Sequence, residues 1–192
     1  VDYLVDPFAL RDLSSLGAIF ENPDIEKIFH AAEYDIIGLK RDYGFTFNNL
    51  FDTMMAARIL GRPAVGLGSM LEAEFGIVLD KRFQRANWGQ RPLPAALLAY
   101  ARLDTHYLIA LRDRIKEDLI ETNRWALAQE DFVRLTHTAA GNHLNGEDYD
   151  EGCWRVAGSH QLTPQQNAVL MELCAYRNRQ AENANLPLFK VL

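Results

Sequence analysis

The chain is poor in cysteine, with two in 192 residues, Cys153 and Cys174. Their spacing matches neither a zinc site nor a redox motif. Free thiols in a reducing cytoplasm are therefore the expectation, with a single disulfide as the alternative. No run approaches the ~18 apolar residues of a membrane span, so no membrane partner is expected. Positive charge is also short, 20 Lys and Arg against 26 Asp and Glu, for a net charge of -6. That balance disfavours a broad, salt-driven grip on nucleic acid. A short groove stays possible, because bound divalent ions would reset the local sign. What is present is ordinary for a globular chain, 48% apolar and 24% charged. The length suits one substantial core and perhaps a small second module. The chain opens abruptly: Val1 to Pro7 already reads as a strand ending in a turn, so upstream residues are expected to be missing.

Short apolar strands alternate with helical patterns over the first two-thirds. Leu10, Leu13 and Leu16 mark a helix, and Lys27 to Ala31 a short buried strand. A helix runs from about Glu33 to a cap at Gly44. Phe51 to Leu60 reads as a further helix, with Asp52 near its start and Gly61 just past its end. Ser69 and Glu72 have the spacing of a capping box for a short helix that stops at Gly76. Pro94 opens a long helix, and another runs from about Arg124 to His137. This alternation predicts an α/β sheet domain. Gly141 to Gly152 is acidic and nearly free of aliphatics, which reads as a linker. Thr163-Pro164-Gln165-Gln166 then supplies an N-cap, a proline at the first helical position and a capping-box glutamine. The helix after it is expected to bury Val169, Leu173 and Tyr176.

Asp104 stands out. Leu97, Ala101, Leu108, Leu111 and Ile115 trace the buried stripe of an amphipathic helix, and Asp104 occupies the position that completes it. A carboxylate turned toward a core is costly unless something pairs with it. Tyr100 lies one turn earlier on the same face. A phenol and a carboxylate held there invite a metal ion or a catalytic site, while capping a neighbouring helix or pairing with a buried arginine is an equal alternative. Asp35 falls in the first turn of the helix after the Ile28-Phe29-His30 strand, at the strand end where open α/β sheets place ligands. By itself it is more simply explained by the helix dipole.

Together these segments are similar to a known family. Lys27-Ile28-Phe29-His30-Ala31-Ala32-Glu33-Tyr34-Asp35 resembles the second motif of the DEDD 3′-5′ exonucleases. Tyr100-Ala101-Arg102-Leu103-Asp104 fits the third motif of their tyrosine subclass. Leu50-Phe51-Asp52-Thr53 and the Leu79-Asp80-Lys81, Trp88 and Arg91-Pro92-Leu93 stretch are similar to ribonuclease D. Leu162 to Leu192 looks like the start of a helicase-and-RNase-D C-terminal (HRDC) domain. The resemblance implies a ribonuclease H-like α/β exonuclease domain at 1–137, a linker at 138–161 and a partial all-α HRDC domain at 162–192. The family's first motif, Asp-x-Glu on the first strand, is lacking. Asp24-Ile25-Glu26 fits it literally but opens the segment leading into Asp35, so a strand pair on the order of 20 residues is expected ahead of Val1. Asn87 stands where relatives often have aspartate.

The resemblance also implies a chemistry. The enzyme would remove nucleotides from the 3′ end of single-stranded RNA, with DNA as the rival substrate, and release nucleoside 5′-monophosphates. Two divalent ions, Mg²⁺ or Mn²⁺, would serve hydrolysis. Asp104 would ligate one and Asp35 support the other, hard cations preferring carboxylate oxygens. Tyr100, a poor base at neutral pH, would orient the attacking water. Lys81, Arg82, Arg85 and Arg91, interleaved with Phe83 and Trp88, suit phosphates and bases of a single strand. The alternative for Trp88 is an anchor of that loop into the core. His30 reads as a hydrogen-bonded core histidine, and Gly66-Leu67-Gly68 lacks the rest of a dinucleotide fingerprint. A cytoplasmic monomer is expected. A non-catalytic binding fragment is the alternative, favoured by the missing Asp-x-Glu.

Overall fold

The computed structural model describes residues 2–10, 12–84, 86–138, 161–184 and 191. The chain divides into two compact units, 1–140 and 141–192. In the first, the order is α1 (Ser14–Glu21), β1 (Lys27–Phe29), α2 (Glu33–Tyr43), β2 (Leu50–Asp52), α3 (Thr53–Ile59) and α4 (Leu67–Phe75). A 3₁₀ turn (Lys81–Phe83), α5 (Ala95–His106), α6 (Leu108–Glu121) and α7 (Trp125–Thr136) complete it.

The two strands pair in parallel, Lys27 opposite Leu50 and Phe29 opposite Asp52. Side chains alternate across a strand, and this alternation sorts the core into two clusters. Phe51 joins Ala56, Met70, Leu111, Ile115 and Leu119 from α3, α4 and α6, with Ile28 packed against them. Leu50 joins Leu13, Ala32, Ile36, Phe45 and Phe47, with Phe29 against them. Helices therefore cover both faces, as the strand-helix alternation predicted. Each fully buried Leu, Ile or Phe contributes about 1.5–3 kcal/mol, so the sheet is held chiefly by these packed faces.

Several boundaries differ from the sequence expectation. Residues 2–6 are not a strand. Leu50 to Asp52 is a strand rather than the start of a helix, because Leu50 and Phe51 are each buried on opposite faces. Asp52 is the N-cap of α3, its side chain accepting from the Met55 amide. The helix α4 starts from Gly66 with no side-chain cap, so Ser69 and Glu72 form no capping box. It ends as expected at Gly76, whose φ of 68° is the left-handed conformation glycine adopts without strain. The long helix from Pro94 is broken at Tyr107 into α5 and α6.

In the second unit, α8 spans Pro164–Ala184. The Thr163 amide donates to Gln166 Oε1 at 2.9 Å and the Gln166 amide to Thr163 Oγ1 at 3.3 Å, which is the expected capping box. The buried line differs from the expected one. Val169, Leu173 and Tyr176 are exposed, while Cys174 and Ala181 are buried. Those two lie seven residues apart, two turns along one face. Cys174 is disulfide-bonded rather than a free thiol. Cys153 lies outside the described residues, as does the linker expected at 138–161 apart from Thr138 and Gln161. No helix among the described residues is long and apolar enough to cross a membrane.

Candidate active site

Parallel pairing brings the carboxyl ends of β1 and β2 side by side, and the chain turns there into α2 and α3. The β1–α2 turn is tight. Ala31 sits at φ 62°, in the left-handed region, where a residue other than glycine, asparagine or aspartate is uncommon and strained. Three side chains hold the turn. The Ala32 amide donates to Asp52 Oδ2 at 2.6 Å, and the Met55 amide to Asp52 Oδ1 at 2.9 Å. Thr53 Oγ1 donates to the Phe29 carbonyl at 3.0 Å and stands 2.9 Å from His30 Nδ1. A hydroxyl has one proton, so Nδ1 must carry the hydrogen in the second contact. His30 is thus the hydrogen-bonded, half-buried histidine the sequence suggested. Burial pushes its pKa down, with the Asp52 charge opposing and Arg58 assisting.

Asp35 follows in the first turn of α2. Burial of its surroundings raises its carboxyl above the ordinary value, and the charge of Asp52 adds to the effect. On α5, Asp104 is likewise raised by burial. Both residues are nonetheless exposed. Asp104 is not turned into the core as the apolar stripe predicted: Leu97 is the buried residue of α5, and the rest of the buried stripe belongs to α6, beyond the break at Tyr107. Protein crowds the two carboxyls on one side while solvent reaches the other. Tyr100 shares α5 with Asp104. Its phenol is raised by burial, then by the charges of Asp104 and Asp80, while a hydrogen bond with Gln84 pulls it down. The rings of Phe83 and Trp88 each lie 5.9 Å from that of Tyr100.

The basic loop is mostly self-paired. Arg82 is salt-bridged to Asp80 at 2.6 Å and highly exposed. Arg91 grips Asp6, its Nε and Nη2 each at 2.8 Å from a carboxylate oxygen, and its Nη1 donates to the Trp88 and Gln90 carbonyls. Its guanidinium also lies 4.7 Å from the centre of the Phe8 ring. Trp88 is half-buried. Arg85 and the side chain of Lys81 lie outside the described residues.

Glu26, excluded as a first-motif carboxylate, sits before the amino end of β1, at the opposite end of the strand from His30. Its Oε2 stands 3.0 Å from Arg112 Nε. The cavity of about 200 Å³ beside it, lined by Asn49, Trp125 and Phe132 among others, includes none of the candidate site residues. Among the described residues no three His, Cys, Asp or Glu side chains converge as a metal cradle. Asp35 and Asp104 offer the hard oxygen donors that Mg²⁺ or Mn²⁺ prefers. The donor chemistry fits such an ion, and the donor number within the described residues falls short of a cradle.

Sequence reasoning missed the reach of Asp52. Its place near the start of an expected helix, and in the Leu50-Phe51-Asp52-Thr53 stretch similar to ribonuclease D, gave no sign of the contact to Ala32. Gln84, beside Tyr100, carried no signal, and Asp80 stood in a stretch similar to ribonuclease D without any sign of its place beside Tyr100.

A helix-covered parallel sheet, with acidic side chains in the turns at its carboxyl ends, defines an α/β protein of the ribonuclease H-like exonuclease fold. A family profile described as 3′-5′ exonuclease matches residues 1–120, and the chain belongs to that family, in its ribonuclease D-like branch. The exosome complex exonuclease RRP6 of Saccharomyces cerevisiae is 44% identical over 126 residues, 65% of this chain. The chain spans 17% of that relative's length. Among solved structures, the catalytic core of RRP6 from Trypanosoma brucei matches with a TM-score of 0.67 and 29% identity, over 88% of this chain and 47% of that one. Escherichia coli RNase D, an exoribonuclease involved in structured RNA processing, matches with a TM-score of 0.70 and 27% identity. That match covers 97% of this chain and 49% of the RNase D chain. The family acts on nucleic acids.

Proposed function

We propose that this chain carries the nuclease part of a ribonuclease D-like 3′-5′ exoribonuclease. It removes nucleotides one at a time from the 3′ end of single-stranded RNA and works as a monomer. Residues 1–137 form the exonuclease domain, and 162–192 begin an HRDC domain that helps hold the substrate. One observation carries the reading: Asp35 opens α2 just after β1 and Asp104 lies on α5, both within residues 1–120 that match the 3′-5′ exonuclease family. Their electrostatics support it. Among the described residues, Asp35 and Asp104 are the carboxyls pushed up rather than down. The other shifted aspartates have a hydrogen-bonding partner, Asp2 with His106, Asp6 with Arg91, Asp12 with Ser14, Asp42 with Arg41 and Asp80 with Arg82. Two crowded carboxylates without a cationic partner call for a cation from outside the chain.

In this reading Asp104 would hold one divalent ion and Asp35 would support a second. Such ions, when bound, lower the pKa of water and neutralise charge on the attacking and leaving oxygens. Tyr100, whose phenol stays protonated well above neutral pH, orients the attacking water by hydrogen bonding. The water oxygen bonds to phosphorus as the phosphorus–O3′ bond breaks. The 3′ oxygen takes up a proton, and a nucleoside 5′-monophosphate leaves. Phe83 and Trp88 form a wall for the terminal base. Lys81, Arg82 and Arg85 contact phosphates, with Arg82 exchanging Asp80 for the strand. Arg91, already paired with Asp6, serves by holding the loop.

The test is 5′-labelled single-stranded RNA with Mn²⁺ and this polypeptide, products resolved on a sequencing gel, against a matched DNA strand. A ladder shortening from the 3′ end, faster on RNA than on DNA and absent in Asp104→Asn, is the expected result. The lack of a three-donor cradle among the described residues favours a second reading, a chain that binds RNA without cutting it. Binding with no ladder would establish that one.

A further inference from the structure

The proposed site leaves one buried charged group without a task. Asp52 is 2% exposed, and no cation pairs with its carboxylate among the described residues. Burying an ionised carboxylate is costly without strong hydrogen bonds, and a helix N-cap alone asks for nothing so buried: serine, threonine or asparagine would serve. The contact to Met55 accounts for one oxygen. The other reaches 20 residues back, to the Ala32 amide, at 2.6 Å. Ala32 is the N-cap residue of α2, and its carbonyl accepts from the Ile36 amide at 2.9 Å. One carboxylate therefore joins the amino ends of two helices, where partial positive charge gathers.

The turn it holds does not stand by itself. Ala31 is in a left-handed conformation, which persists where surrounding bonds over-determine it. Asp35 follows three residues after Ala32, so the Asp52–Ala32 bond fixes the origin of the turn that aims the Asp35 carboxylate. A serine or threonine at residue 52 could reach one amide but not both. The contact runs from the end of β2 to the start of α2, across the strand pair, so it ties Asp35 to the sheet rather than to its own helix.

We infer that Asp52 is a positioning residue for Asp35, its carboxylate clamping the β1–α2 turn so that the Asp35 oxygens are presented to a divalent ion. The inference rests on the reading of Asp35 as a metal ligand. Asp52 itself touches neither metal nor substrate. Its neighbours His30 and Thr53 brace the same turn from the Phe29 side.

The experiment is ¹⁵N-detected NMR of the 192-residue chain with Mg²⁺ alone as probe, comparing the parent with Asp52→Asn, Asp52→Ser and Asp35→Asn. Asparagine keeps the shape and the cap of α3 but sets an NH₂ group against one of the two amides. Serine keeps the cap and cannot reach Ala32. In both Asp52 variants the Ala32 amide should lose its downfield shift and exchange faster. The Mg²⁺ midpoint read from the residue 35 amide should rise by about tenfold or more, as for outer partners of metal ligands. The Met55 amide of Asp52→Ser should stay near that of the parent, while its melting temperature falls because the buried Ala32 amide is left unpaired. A pure capping role predicts that Asp52→Ser binds Mg²⁺ as the parent does, and that outcome overturns the clamp while leaving the metal site intact. No Mg²⁺ response in the parent, or an unchanged one in Asp35→Asn, overturns the metal reading of Asp35 and the clamp's purpose with it. Where exonuclease activity is measurable, the Asp52 variants should lower kcat with KM for RNA nearly unchanged.

Discussion

Arg91 and Asp6, 85 residues apart in the chain, are joined by two parallel hydrogen bonds of 2.8 Å. A bidentate guanidinium–carboxylate pair is a fixed geometry, and here it fastens the loop before α5 to the segment ahead of α1. The Arg91 guanidinium also holds the Trp88 carbonyl, so the loop's aromatic side chain depends on the same anchor. A basic residue between aromatics looks the same in sequence whether it meets a phosphate or a carboxylate of its own chain.

Arg91→Ala should therefore lower the melting temperature and leave the salt dependence of RNA binding unchanged. Arg82→Ala should do the reverse. Each lost contact to a single strand should reduce the slope of log K against log salt by about 0.7. Fluorescence anisotropy with a labelled single strand at several salt concentrations separates the two. A shallower slope for Arg91→Ala would place that residue on the phosphate backbone.

The carboxyls of Asp35 and Asp104 supply a pH signature. Their folded values lie above the ordinary one, so between the two values the folded chain binds more protons than the unfolded chain. Stability is then present below the ordinary carboxylate value and lost as pH rises through the folded value. Without metal, Asp35→Asn and Asp104→Asn should melt slightly higher than the parent at pH 7, and the gain should vanish as pH falls toward 4. Both groups are exposed and screened, so the shift is on the order of 1 °C. Mg²⁺ should invert the order, since it can stabilise the parent and not the variants. Scanning calorimetry across pH, with and without Mg²⁺, gives both comparisons. A parent that melts above the variants in metal-free buffer would show that these carboxyls have partners of their own.

Motif residues were legible because their chemistry is local. Tyr100 and Asp104 lie one turn apart, Asp35 opens a helix, and Thr163 with Gln166 forms the box that their spacing demands. What sequence did not show depended on contacts between distant segments. The break at Tyr107 has no glycine or proline to announce it, so the apolar stripe ran on through Asp104 and placed it inside. Phe51 and Asp52 looked helical beside Met54, Met55 and Ala56, and only pairing with β1 made them part of a strand. On α8, a stripe through Val169, Leu173 and Tyr176 was as good a pattern as the observed one through Cys174 and Ala181.

The packing argument has its own check at Ile115, fully buried on α6 among Phe51, Leu111 and Leu119. Ile115→Ala should cost about 2–5 kcal/mol in urea unfolding. Ile120→Ala, five residues on along the same helix and exposed, should stay within about 0.5 kcal/mol of the parent. Equal costs at the two positions would mean that α6 is rotated from the orientation described.

The last prediction concerns a proton. Thr53 Oγ1 gives its hydrogen to the Phe29 carbonyl, so the 2.9 Å contact to His30 Nδ1 requires the hydrogen to sit on Nδ1. Burial lowers the His30 pKa, so at pH 7 the ring is neutral and Nε2 carries a lone pair. Long-range ¹H–¹⁵N spectra of the parent should show Nδ1 protonated and Nε2 bare, the less common tautomer of free histidine. Thr53→Val keeps the shape but removes both the acceptor for Nδ1–H and the donor to Phe29. The ring should then shift toward the Nε2–H form, at a cost of about 1–3 kcal/mol for the groups left unpaired. Because Thr53 and Asp52 brace the same turn, Thr53→Val should also move the Ala32 amide, though less than Asp52→Asn does. A parent ring with hydrogen on Nε2 would mean that the Thr53 hydroxyl points toward His30. The Phe29 carbonyl would then lack that donor, and the bracing of the turn would rest on Asp52.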